Sequence, residues 1–180
     1  HVEEVSLSLT KYALPVYYII MPAEVSANLS RFDGMRYGLS MRENNTLKEI
    51  YLKTRTKGFG DEVRRRIIVG TYVLSHGYYE AFYNRAQKVR HLIKKEFDEV
   101  FSKVDCIIGP TTPSTAFNIG EKVDDPVQMY LSDIFTVSAP VAGIPAISIP
   151  VGLKNGLPIG LQIMANQFDD VKVFGLAYSI

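Results

Sequence analysis

A chain of 180 residues is the size of one domain and long enough to bury about two thirds of its unfolded surface. Its 47% hydrophobic and 22% charged residues are ordinary for a folded globular protein and exclude a disordered or collagen-like chain. A formal net charge of +1 supplies no strong field for nucleic acid or an anionic membrane, and apolar runs such as Ala13–Ile20 fall short of the roughly 20 residues a membrane span needs.

Taken in order, Val5-Ser6-Leu7-Ser8-Leu9 alternates with period two and predicts a half-buried strand. A mostly apolar helix is expected over 13–29, interrupted near Pro22, with Arg31-Phe32-Asp33-Gly34 as a turn and 38–46 as a loop. A short helix over 47–56 is expected to close at Lys57-Gly58-Phe59-Gly60 in the manner of a glycine cap. Asp61 then stands where a helix N-cap belongs, and the helix runs from Glu62 to about Ser75. A second long helix follows from Tyr78 to about Lys103. Its residues Tyr79, Phe82, Ala86, Val89, Ile93, Phe97 and Val100, three or four apart, define one buried face. Arg85, Lys88, Arg90, Lys94 and Lys95 decorate its other faces as a solvated surface.

Beyond this helical half the pattern changes. Asp105–Gly109 reads as a buried strand holding the single cysteine, Cys106, as an inert thiol. One cysteine cannot form an internal disulfide, and a reducing, cytoplasmic setting is expected. Pro110–Thr115 is a rigid loop, and Asp125-Pro126 opens a helix with Asp125 as cap. Apolar runs at 145–151 and 158–164 flank an Asn155-Gly156 turn, a hairpin signal, and a final helix occupies 168–180. Strands mixed with long helices indicate an α/β layer fold, a mixed β-sheet flanked by helices. Both ends read as cuts in a longer polypeptide, the second inside a helical pattern.

Few residues carry chemistry. His1, His76 and His91 are far apart in sequence, and one cysteine cannot anchor a zinc cluster. Neither a phosphate-binding glycine motif nor a Gly-x-Ser-x-Gly elbow occurs. Two positions stand out on physical grounds. In Val63-Arg64-Arg65-Arg66-Ile67 the three arginines point about 100° apart on a helix. The stripe Val63, Ile67, Gly70, Leu74 faces the core, and of the three Arg66 is best placed to reach inward over the glycine. Asp133 lies toward the end of the helix begun at Pro126, where the helix dipole disfavours a carboxylate. A partly buried carboxylate there calls for a cationic partner or a ligand ammonium. An arginine and an aspartate facing one cleft suit a free α-amino acid.

The stretches Pro22-Ala23-Glu24-Val25-Ser26-Ala27-Asn28-Leu29-Ser30-Arg31-Phe32-Asp33-Gly34 and Gly58-Phe59-Gly60-Asp61-Glu62-Val63-Arg64-Arg65-Arg66 resemble the amidase-signature family, in particular the glutaminase subunits of tRNA-dependent amidotransferases. Gly109-Pro110-Thr111-Thr112-Pro113, Ala142-Gly143-Ile144-Pro145-Ala146 and Pro158-Ile159-Gly160-Leu161-Gln162 resemble amidases more widely. The resemblance covers nearly the whole chain and implies the C-terminal part of a single amidase-signature domain over 1–180. It implies hydrolysis of glutamine to glutamate and ammonia, passed to a partner subunit that amidates misacylated Glu-tRNA(Gln) or Asp-tRNA(Asn). It further implies a heterotrimer with two other subunits, ATP and magnesium at the partner subunit, and no cofactor in this segment. Tyr17, Arg66 and Asp133 resemble the positions that hold glutamine. The family's Gly/Ser-rich signature with its serines and lysine is absent. The nucleophile is therefore expected N-terminal to His1, with the segment inactive and poorly folded alone. Two alternatives stay open: another amidase-signature hydrolase of small amides, or a non-enzymatic docking module of a heterotrimer.

Overall fold

The computed structural model describes residues 1–121 and 126–180. Asp124 and Asp125, expected as turn and cap, lie outside the described residues. The chain divides into two compact units, His1–Tyr17 with Lys88–Ile180, and Tyr18–Gln87. Its helices are α1 (Ala13–Leu29), α2 (Leu47–Gly58), α3 (Asp61–Val73), α4 (Arg85–Phe101), α5 (Pro126–Leu131), α6 (Ser138–Ala142) and α7 (Asp170–Ser179). The strands are β1 (Cys106–Pro110), β2 (Ala146–Lys154) and β3 (Leu157–Ala165).

The first unit holds the sheet, with strand order β1-β3-β2 and both pairings antiparallel. The expected mixture of strands and helices is present. Asn155 and Gly156 take φ of 53° and 78°, the mirror-image turn whose twist matches a hairpin, so Lys154 pairs directly with Leu157. The predicted six-residue connection therefore contracts to two. Gly143, at φ 71°, ends α6 in the left-handed region and donates to Ala139 O at 2.8 Å, which fixes the turn into β2. Ile93, Phe97, Ile163 and Ala165 have no exposure and centre the core of this unit. Two buried polar contacts bind its pieces. Arg90 Nε donates to Val141 O at 2.9 Å and Gln162 Nε2 to Phe135 O at 3.1 Å. Arg90 is thus a structural tie rather than surface decoration.

The predicted strand at 5–9 is not one. Val5, Leu7 and Leu9 are half-buried between exposed serines, so the alternation is real, but among the described residues no strand pairs with it. Its polar groups go elsewhere: Leu7 O accepts from Thr10, and Leu9 N donates to Glu96. Cys106 lies in β1 as expected but is half-buried, and burial pushes its thiol pKa up despite the opposing pull of Lys172.

In the second unit, α1 runs through Pro22 without the predicted interruption. Pro22 and Ala23 are buried, and packing there overrides the local penalty of a helical proline. Arg55 Nη2 donates to Leu29 O and Ser30 O at 3.4 and 3.1 Å, placing positive charge where α1 ends. The turn that follows is built on Asp33, whose carboxylate accepts from Met35 N at 2.7 Å. That bond holds its pKa below the ordinary value. α2 extends to Gly58, and Phe59, in an extended conformation, ends it. The expected left-handed glycine is not used. Gly60 rather than Asp61 is the N-cap of α3; Asp61 opens the first turn, where its charge favours the helix dipole. The predicted Tyr78–Lys103 helix divides into a π-helical turn at Tyr79–Asn84 and α4. The wider turn breaks the stripe, leaving Tyr79 and Phe82 exposed while Ala86, Ile93 and Phe97 stay buried.

Thr46 and Glu49 form a reciprocal capping box at the start of α2. The Thr46 backbone N–H is the main cause of a Glu49 pKa below its ordinary value, followed by the Thr46 hydroxyl and Lys53. A carboxylate with a depressed folded pKa stabilises fully above its unfolded pKa and loses that contribution as pH falls through the folded one. Thr46→Ala is therefore expected to cost about 1 kcal/mol at neutral pH. The deficit should shrink in urea melts run below the ordinary carboxylate pKa.

Candidate functional site

The three arginines open α3 and fan out as the helix period requires. Arg64 pairs with Asp61 and Arg65 with Glu62 Oε2, each one turn earlier. Arg66 Nε lies 3.2 Å from Glu62 Oε1, so Glu62 bridges two guanidinium groups. Side-chain exposures of 46%, 56% and 36% for Arg64, Arg65 and Arg66 make the third the most inward. Its Nε is buried and lacks a hydrogen bond of good geometry despite the ion pair. That nitrogen belongs to the sheltered base of the guanidinium, while the tip stays accessible.

The predicted stripe needs one correction. Val63 and Ile67 are half-buried and Gly70 is buried, but Val73 rather than Leu74 completes the inner face, because α3 ends there. Gly70 does not leave room for the arginine. A Cβ built on it would lie 1.9 Å from Pro22 O, so the backbone of α1 fills that space.

Tyr17 is the fifth residue of α1 and half-buried. Asp133 departs from expectation. It is exposed and follows the end of α5 at Leu131 rather than lying within the helix. Its N–H donates to Tyr130 O at 3.1 Å, and its carbonyl accepts from Thr136 N at 3.0 Å and Val137 N at 3.1 Å. Asp133 thus sits in the chain of turns leading to α6, with its side chain at the surface. The helix is shorter than the sequence suggested, which removes the burial argument first made for this residue. Tyr17 and Asp133 belong to the first unit and Arg66 to the second.

Two residues escaped sequence reasoning. Glu62 precedes Arg65 by three and Arg66 by four, a spacing from which the pairing was readable. Glu96 had no such signal, since its partners Ser8 and Leu9 are far away in sequence.

A family model described as amidase matches residues 1–174. The chain is 58% identical over 175 residues to the A-type subunit of glutamyl-tRNA(Gln) amidotransferase from Sulfurihydrogenibium sp., covering 97% of this chain and 36% of that protein. It is 54% identical over 180 residues to the protein of the same name from Desulforamulus reducens, covering 100% of this chain and 37% of that one. The chain therefore spans little more than a third of the length of these curated relatives. Among solved structures, the protein of that name from Thermotoga maritima superposes with a TM-score of 0.67 at 44% identity, over 96% of this chain and 32% of that one. A crystal structure described as an amidase gives a TM-score of 0.71 at 22% identity, over 98% and 36%, a likeness of fold alone.

Proposed function

The chain belongs to the amidase family, and from that premise we propose that it is part of the glutaminase subunit of a tRNA-dependent amidotransferase and supplies the side of the pocket that holds glutamine. The observation that carries this reading is an identity of 54–58% to relatives of that name over 97% or more of the chain. Arg66 takes the α-carboxylate, a role suited to a guanidinium whose base is sheltered and whose tip is open. Asp133 takes the α-ammonium, which a surface carboxylate on a turn does without first losing its own hydration. Tyr17 completes the grip. Holding both charged groups separates glutamine from plain amides and fixes its side-chain amide before attack.

The Gly/Ser-rich signature of the family does not occur in these 180 residues. The attacking serine therefore comes from other polypeptide, and the chain alone does not hydrolyse glutamine. Ammonia released in the full enzyme passes to a partner subunit, where ATP and magnesium activate the misacylated Glu-tRNA(Gln). Apart from that tRNA and glutamine, the partners are the two other subunits of a heterotrimer in the cytoplasm. No helix among the described residues is long and apolar enough to cross a membrane.

Calorimetric titration of the full-length subunit in its complex with L-glutamine tests the reading. Asp133→Asn removes one charge-assisted contact and is expected to weaken binding about tenfold. A plain amide such as butyramide should bind both proteins equally. Unchanged glutamine affinity in both Asp133→Asn and Tyr17→Phe would overturn it.

A further inference from the structure

α1 starts without a cap of its own. Leu9, the N-cap of the 3-10 turn Thr10–Tyr12 that runs straight into α1, has no side chain able to accept a hydrogen bond. The first turn of α1 contains no acidic residue. By contrast, α2 opens with Thr46 and Glu49, and α3 with Asp61 and Glu62. The missing carboxylate is imported. Glu96 of α4 accepts from Leu9 N at 3.2 Å through Oε1 and 3.0 Å through Oε2, and from Ser8 Oγ at 2.8 Å.

Imported capping differs from local capping in what it fixes. A local cap stabilises a helix wherever the helix lies. A carboxylate borrowed from α4 also fixes where α1 begins relative to α4. All three residues belong to the first unit. The seat is firm on both sides: Ala13 and Val16 of α1 are 0% and 4% exposed, and Ile93 and Phe97, flanking Glu96 on α4, are both fully buried. Tyr17 comes eight positions after Leu9 on the same continuous helical run. Slippage of that run by one residue would turn Tyr17 by about 100°.

We propose that Glu96 is a positioning residue for Tyr17, setting glutamine affinity through the start of α1; this rests on the reading of Tyr17 as a glutamine contact. Glu96 touches neither substrate nor nucleophile, so its loss acts on KM rather than kcat. Steady-state glutaminase kinetics of the full-length subunit in its complex test this with Glu96→Ala, Tyr17→Phe and the double variant. Glu96→Ala is expected to raise KM for glutamine about tenfold at near-constant kcat. It should add nothing further in the Tyr17→Phe background. Glu96→Gln, which keeps an acceptor for Leu9 N, should recover part of the loss. Ser8→Ala removes one bond without disturbing α4 and should raise KM about twofold, which keeps the test valid if Glu96→Ala folds badly. The proposal is overturned if Tyr17→Phe raises KM and Glu96→Ala or Ser8→Ala does not, or if the effects add in full. It is equally overturned if Glu96→Ala lowers kcat and leaves KM alone. If Tyr17→Phe leaves KM unchanged, the pocket reading itself has failed and the proposal falls with it.

Discussion

Gly70→Ala is expected to destabilise the polypeptide by about 2–3 kcal/mol, although the same exchange in an exposed helix ordinarily gains about 1 kcal/mol. The reason lies in what the new methyl group would meet. Its carbon would stand 1.9 Å from Pro22 O, 2.4 Å from Pro22 C and 2.9 Å from Ala23 N. All three are backbone atoms, so no rotamer change relieves the overlap and α1 and α3 must part. Gly58→Ala makes the control within the same unit. Gly58 is the last residue of α2, and a Cβ there would meet only Leu39 Cδ2, at 3.7 Å. That change should stabilise slightly. Urea midpoints of opposite sign for the two variants are the expected result, and equal midpoints would show that the two helices adjust freely.

Arg66→Ala should give the largest loss of function, raising KM for glutamine about a hundredfold or more, since a charge-assisted, bidentate contact disappears. Arg66→Lys is expected to recover little, because an ammonium cannot reproduce the planar fork. Arg64→Ala and Arg65→Ala should stay near wild type. Those guanidinium groups are exposed and already engaged with Asp61 and Glu62, surface pairs worth little. The sharper distinction is Glu62→Gln. Glu62 holds Arg66 through Nε, so its loss should weaken glutamine binding more than Arg64→Ala does. A profile in which all three arginines matter equally would point to a diffuse basic surface instead of a substrate grip.

Much of the fold was legible because its signals are local. The bounds of α1, the Asn155-Gly156 turn and the inner face of α4 from Ala86 onward follow from periodicity and turn chemistry. The errors fall where distant contacts decide. Val5–Leu9 has the alternation of a strand, but its Leu9 N–H goes to Glu96. Pro22 looked like a break, and burial beside Gly70 keeps the helix intact. Of the candidate site, the inward bias of Arg66 was readable from helix geometry, whereas Asp133 was misplaced because α5 is only six residues long. Tyr17 was singled out by likeness alone, as no spacing rule marks it.

The two-residue connection between β2 and β3 also bears on how the molecule assembles. Hairpins closed so tightly form within roughly 1–10 μs, before contacts between distant segments are made. β1 has no such advantage: Cys106 must find Ala165 across most of the second half of the chain, and long closures are slow. Residues 146–165 are thus the natural seed, with the third strand recruited afterwards onto an edge that is already waiting.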